Sequence, residues 1–202
     1  MRKHSLIISC LCLILSQACS DTPALRYVHE QGVILAYGDS LTVGVGASKI
    51  HSYPSVLAKL SNRQVIRSGV SGEQTHGGLK RLPAVLDEIN PDLMILLHGG
   101  NDILRNQNLQ QAKSNLAAMI EHAHRRDIEV VLIGVPEKNL FSDTAPMYIE
   151  LADEYDLVFS EDILSKLIRK NEFKSDAVHL NQKGYYQMAE SIHSLLVKHG
   201  AL

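Results

Sequence analysis

Val33-Ile34-Leu35-Ala36-Tyr37-Gly38-Asp39-Ser40-Leu41 is an apolar run that stops at a glycine and is followed at once by a carboxylate and a hydroxyl. A continuous apolar stretch of this length, closed by a turn residue, is the pattern of a strand buried on both faces. Four more stretches read the same way. Val65-Ile66 is short; Leu93-Met94-Ile95-Leu96-Leu97 and Val130-Val131-Leu132-Ile133 each run on to a glycine; Leu157-Val158-Phe159 is the fifth. Between them, residues 53–60, 79–89, 109–125, 144–155, 163–169 and 181–198 repeat apolar side chains at helical spacing, with Pro83 near the start of the second. Strand alternating with helix predicts right-handed crossovers and a parallel sheet covered on both faces, hence one α/β domain. Ligands bind outside the carboxyl ends of the strands in such a sheet. Ser40, Gly72, Asn101 and the loop after Gly134 are all expected on that one edge.

Composition fits this reading. The 202 residues are 45% hydrophobic and 21% charged, as in an ordinary globular chain with one well-filled core. A formal charge of −2 without a basic stripe argues against a nucleic-acid partner. Ten histidines without clustered cysteines carry no metal signature, and no cofactor is expected.

Residues 1–19 read as a signal peptide. Arg2, Lys3 and His4 precede an apolar stretch from 6 to 15, too short to span a bilayer. All three cysteines, Cys10, Cys12 and Cys19, fall there, so the mature chain is expected to form no internal disulfide. Leu15-Ser16-Gln17-Ala18-Cys19 resembles a bacterial lipobox, which implies lipidation of Cys19 and anchoring to a membrane. It departs at Ser16, where that pattern usually has Leu. Ser16-Gln17-Ala18 also satisfies the small-x-small rule of an ordinary signal peptidase, which implies a released form. Either route predicts an extracytoplasmic protein: a periplasmic, membrane-anchored lipoprotein, or a released periplasmic or secreted form. Cleavage removes two of the 20 basic residues against 22 acidic ones, moving the charge from −2 to near −4. Residues 20–32 are a lead-in, and 33–202 form the expected domain.

The chemistry lies in four short segments. A serine hydroxyl is a weak nucleophile near neutral pH and needs a base within hydrogen-bond reach. Gly38-Asp39-Ser40 read in isolation is more often a helix cap than a nucleophile. Asp176-Ala177-Val178-His179 supplies the missing partners, since a turn of that length can bring the carboxylate to the imidazole and orient it toward a serine. The other histidines read less well: His122 and His124 lie on a helix face, His193 and His199 in the last helix, His51 and His76 in loops, and His98 closes a buried strand. A tetrahedral oxyanion needs two or three preorganised donors. The Ser40 N–H, the Gly72 N–H and the Asn101 side-chain amide are candidates, although Gly100-Asn101-Asp102 equally fits a turn and a helix start. Asn181 reads as the cap of the last helix.

These residues resemble the SGNH subgroup of the GDSL hydrolases. Gly38-Asp39-Ser40-Leu41-Thr42 matches its first block, and Ser71-Gly72 with Gly78-Leu79-Lys80-Arg81-Leu82-Pro83 its second. Gly99-Gly100-Asn101-Asp102 matches the third, and residues 176–185 the fifth. Gly134-Val135-Pro136 is similar to the arylesterase, thioesterase I and lysophospholipase branch. The resemblance spans residues 33 to about 197. It implies a flavodoxin-like three-layer α/β/α sandwich with five parallel strands. It also implies Ser40 as nucleophile, His179 as base and Asp176 as its orienting carboxylate, with Ser40, Gly72 and Asn101 forming the oxyanion hole. Ala177 and Leu180 depart from the Gly and Pro frequent in the family.

The expected activity is therefore serine esterase action through an acyl-enzyme on Ser40. The resemblance implies aryl esters, short-to-medium acyl esters, lysophospholipids or acyl thioesters as substrates. An O-acetylesterase acting on envelope carbohydrate keeps the same triad. A non-catalytic envelope binding lipoprotein predicts a broken one. Tyr53 and the loop Glu137-Lys138-Asn139-Leu140-Phe141 are expected to line the acyl site. Oligomeric state is not legible.

Overall fold

The computed structural model describes residues 23–138 and 143–202; the signal-peptide and lipobox expectations lie outside these residues. Among the described residues, five strands pair in parallel: β1 (Val33–Gly38), β2 (Gln64–Gly69), β3 (Leu93–Leu97), β4 (Glu129–Ile133) and β5 (Val158–Ser160). Their order across the sheet is β2-β1-β3-β4-β5. The chain runs one way from β1 to β2 and the other way from β2 onward, so the order reverses beside β1. Loops leaving β1 and β3 diverge at that reversal and open a crevice at the carboxyl edge.

Among the described residues, eight helices accompany the strands: α1 (Ser40–Val43), α2 (Tyr53–Ser61), α3 (Thr75–Ile89), α4 (Gly100–Leu104), α5 (Leu109–His124), α6 (Pro146–Glu154), α7 (Ile163–Ile168) and α8 (Gln182–Lys198). Right-handed crossovers in opposite directions place helices on opposite faces. Accordingly α2 packs with α8, which also meets α7, whereas α3 packs with α5, which meets α6. β1, β3 and β4 are buried almost throughout, which is why they read as continuous apolar runs.

The differences from the sequence reading have local causes. β2 extends to six residues because it pairs with β1 at every position, yet as an edge strand it stays half-buried and admits Gln64, Arg67 and Ser68. Helix α3 begins at Thr75, four residues earlier than its apolar repeat, and so takes His76 out of the loops. His76, Gly77 and Gly78 are poor helix formers, but Asp102 of α4 accepts from the Thr75 N–H at 2.9 Å and from its hydroxyl at 2.8 Å. A carboxylate from another helix thus takes the place of a cap, since Gln74 makes no side-chain capping bond. His51 sits in a short 3₁₀ turn, Lys49–His51. The part of the lead-in described here is docked: Leu25 and Val28 are buried, with their N–H groups donating to His199 O and Ala201 O.

Candidate active site

The end of β1 delivers Asp39 and Ser40 to the crevice. The cap reading of Gly38-Asp39-Ser40 holds and is compatible with the nucleophile reading, because Asp39 is the N-cap of α1 and Ser40 is its first residue. Asp39 Oδ1 accepts from the Leu41 N–H at 3.1 Å, fixing the turn that presents the Ser40 hydroxyl.

Between a 3₁₀ turn, Asn171–Phe173, and α8 the chain forms a short loop whose shape is set by Asp176. Its Oδ1 accepts from the N–H groups of Val178 and His179, at 2.9 and 2.8 Å, and its Oδ2 from the His179 ring at 2.8 Å. A carboxylate can only accept, so Nδ1 of His179 carries the proton and Nε2 is the free lone pair. That lone pair faces Ser40 Oγ at 3.0 Å. Partial burial pushes the Asp176 carboxyl up, but the hydrogen bonds from Val178 and His179 and the nearby imidazole hold it below the usual carboxylate range. The base end of the loop is tied down by Asn181, whose carbonyl oxygen caps α8 at the Gly184 N–H and whose amide donates to Glu172 O and Lys174 O.

Asn101 lies in the first turn of α4, beyond β3, and Gly72 in the turn after β2. Gly72 has φ +74°, a conformation that glycine enters without the strain a Cβ would impose. Asn101 Nδ2 donates one hydrogen to Asp39 Oδ2 at 3.2 Å, leaving its second for the cavity it lines. Asp39 is buried. Burial raises its carboxyl above the usual range, opposed by His98, the Leu41 N–H, His179 and Asn101.

Ser40, Gly72, Asn101 and His179 border one cavity of about 540 Å³. Leu41, Val45, Ile103, Leu104, Val135, Leu164 and Ile168 give it largely apolar walls. The expectation for Tyr53 is corrected: it is fully buried inside the fold, its hydroxyl bonded to Thr42 Oγ1 at 3.2 Å, and it does not reach the cavity. Glu137 and Lys138 do line it, while Asn139, Leu140 and Phe141 lie outside the described residues. Sequence reasoning missed the wall from α7 and the loop after it, including Arg169 and Lys174, because nothing in their spacing marks them. It placed His98 at the end of a buried strand, where the ring is indeed buried, but missed that the ring faces Glu73 Oε2 at 3.2 Å. Among the described residues no three His, Cys, Asp or Glu gather as metal ligands would.

Chemically, the line carboxylate–imidazole–hydroxyl can accept the serine proton as an acyl carbon is attacked, with amide donors across the crevice for the oxygen that becomes negative. The sequence pattern of the GDSL-like Lipase/Acylhydrolase family matches residues 36–187. The chain is 33% identical over 152 residues to Esterase TesA of Pseudomonas aeruginosa, covering 72% of this chain and 69% of that one. It is 33% identical over 180 residues to an Arylesterase of Vibrio mimicus, covering 82% and 88%. Its fold is similar to the crystal structure of AlinE4, an SGNH-hydrolase family esterase, with a TM-score of 0.67 at 32% identity over 85% of this chain and 97% of that one. The chain belongs to the GDSL-like lipase/acylhydrolase family and is an SGNH ester hydrolase.

Proposed function

We propose that Ser40 attacks the carbonyl of a carboxylic ester and carries the acyl group, with His179 as general base and then general acid. Asp176 holds the imidazole tautomer and stabilises the imidazolium. The N–H groups of Ser40 and Gly72 and the amide of Asn101 receive the oxyanion. Water activated by His179 then releases the acid. The observation that supports this most is the unbroken hydrogen-bonded line from Asp176 through His179 to Ser40, ending beside an apolar cavity.

The cavity's walls and its volume of about 540 Å³ favour an acyl or aryl group larger than acetyl. Aryl esters and short-to-medium acyl esters are accordingly the proposed substrates, with lysophospholipids and acyl thioesters as further members of the same class. The protein acts outside the cytoplasm, anchored by a lipid on Cys19, with release by ordinary signal peptidase as the alternative. Mass spectrometry of the mature N-terminus separates these two.

Ser40→Ala is expected to abolish hydrolysis of p-nitrophenyl butyrate while the far-ultraviolet circular dichroism stays unchanged; retained turnover would disprove the nucleophile. Across a series from acetyl to palmitoyl esters, kcat/KM should peak beyond acetyl. Turnover of acetyl esters only would replace this reading with a carbohydrate O-acetylesterase.

A further inference from the structure

Beneath the crevice, and outside the line of Asp176, His179 and Ser40, lies a cluster of charged and polar groups with no assigned role. Glu73 directly follows Gly72, His98 closes β3 just before Gly99-Gly100-Asn101, and Arg81 projects from α3. Arg81 Nε lies 2.9 Å from each oxygen of the Glu73 carboxylate, and its Nη2 is 2.8 Å from Oε2. The same guanidinium donates to Ser68 Oγ, to Ser68 O and to Gly38 O, and lies 4.0 Å over the Tyr37 ring.

The His98 ring completes the set. The Gly99 N–H donates to its Nδ1 at 2.9 Å, so that nitrogen must hold a lone pair. In the neutral ring the proton is then on Nε2, which donates to Glu73 Oε2. The ring is fully buried and fits only because residue 78 is glycine, as a Cβ there would come within 2.4 Å of Nε2. Burial pushes the Glu73 carboxyl up, but His98 and Arg81 hold it below the usual carboxylate range.

The targets of these hydrogen bonds are not scattered. Gly38 immediately precedes Asp39-Ser40, Glu73 follows Gly72, and Gly99 is two residues before Asn101. One connected cluster therefore grips all three segments that carry the oxyanion donors of the proposed mechanism. A partly buried ion pair adds little to stability, because desolvation offsets much of its attraction. It is a good device for fixing the register of three loops.

We propose that Glu73, Arg81 and His98 are positioning residues that set the mutual spacing of the three oxyanion donors. The proposal rests on the reading of the site given above. Neither Glu73 nor His98 lines the cavity, so they act through the backbone they hold. Their removal should lower kcat and leave KM little changed, because the donors are needed by the developing oxyanion more than by the bound ester.

The test compares Glu73→Gln, His98→Leu and His98→Asn with the wild type on p-nitrophenyl butyrate. Rates are taken per active site, titrated with a fluorophosphonate, and thermal unfolding is followed alongside. Asn can place an acceptor where Nδ1 sits and so keep the Gly99 N–H bonded, whereas Leu cannot. Glu73→Gln and His98→Leu are expected to lower per-site kcat roughly tenfold to a hundredfold with KM within about threefold. His98→Asn should recover most of the loss seen in His98→Leu. A per-site kcat near wild type in folded Glu73→Gln and His98→Leu would overturn the proposal, as would His98→Asn being no better than His98→Leu. Should Glu73→Gln not fold, the two His98 variants carry the comparison. Turnover retained by Ser40→Ala would instead overturn the underlying reading of the site. An inactive Ser40→Ala beside a fully active His98→Leu would refute positioning and leave that reading standing.

Discussion

Asp39 stands between Ser40, the proposed nucleophile, and Asn101, a proposed oxyanion donor, and its two oxygens are spoken for by Leu41 and Asn101. Replacing it with Asn keeps the cap but turns an acceptor into a donor opposite the Asn101 amide. Asn101 can relieve the clash by turning its carbonyl toward residue 39, which takes its N–H groups away from the cavity. Asp39→Asn should therefore lower kcat on p-nitrophenyl butyrate by roughly a hundredfold, the scale of losing one oxyanion donor. Its effect on stability has the opposite sign. The folded carboxyl titrates above its ordinary value, so its favourable contribution is present below that value and fades as pH rises through the folded one. An asparagine does not titrate. Thermal melts should show Asp39→Asn matching the wild type at acid pH and exceeding it near pH 7, by roughly 2–4 °C for each kcal/mol relieved. A wild-type advantage at pH 7 would mean that the ionised carboxylate is stabilised by its partners more than burial costs it. Gly38-Asp39-Ser40 was visible in the sequence as a cap and as a candidate nucleophile; that one turn is compatible with both was not.

Among the elements, α3 shows where periodicity stops informing. Its apolar repeat, Leu79, Leu82, Leu86 and Ile89, marks the body of the helix, but its first turn exists because Asp102 reaches across from α4. Asn115 of α5 joins this contact by donating to Thr75 Oγ1 at 3.0 Å. Asp102→Ala leaves the buried Thr75 N–H without an acceptor, a loss of about 2 kcal/mol. Urea unfolding should register that drop, and Asp102→Asn, which keeps one acceptor, should lose less. Equal losses in the two variants would mean that the contact contributes through its charge and not through the hydrogen bonds. A tertiary cap of this kind leaves no trace in local spacing, since its two partners are 27 residues apart. Similarly, β2 was only half legible, because an edge strand need not be apolar along its length.

At the scale of the whole molecule, stability and chemistry are divided between the sheet and its rim. Leu96 sits in the fully buried centre of β3, and truncation to Ala should cost about 2–5 kcal/mol by removing packed atoms and leaving a cavity. Ile50, 60% exposed, should change by less than about 0.5 kcal/mol when truncated likewise. Denaturant midpoints of the two variants test this, and comparable losses would contradict the core assignment. The rim is held differently, by buried tyrosines that spend their hydroxyls on carbonyls of two loops and of the start of α3. Tyr148 of α6 donates to His98 O at 2.7 Å, Tyr185 of α8 to Val45 O at 2.7 Å, and Tyr37 of β1 to Gly78 O at 2.6 Å. The alternation of strands and helices in one α/β domain was readable from the chain, because apolar runs report burial, and so was the contact of Asp176 with His179, because a three-residue turn joins a carboxylate to its imidazole locally. The cavity walls from α7, the exclusion of Tyr53 and the grip of Glu73, Arg81 and His98 on three loops depended on the folded molecule. Those contacts join residues far apart in the chain, and only closure of the sheet and packing of its helices decide which of them meet.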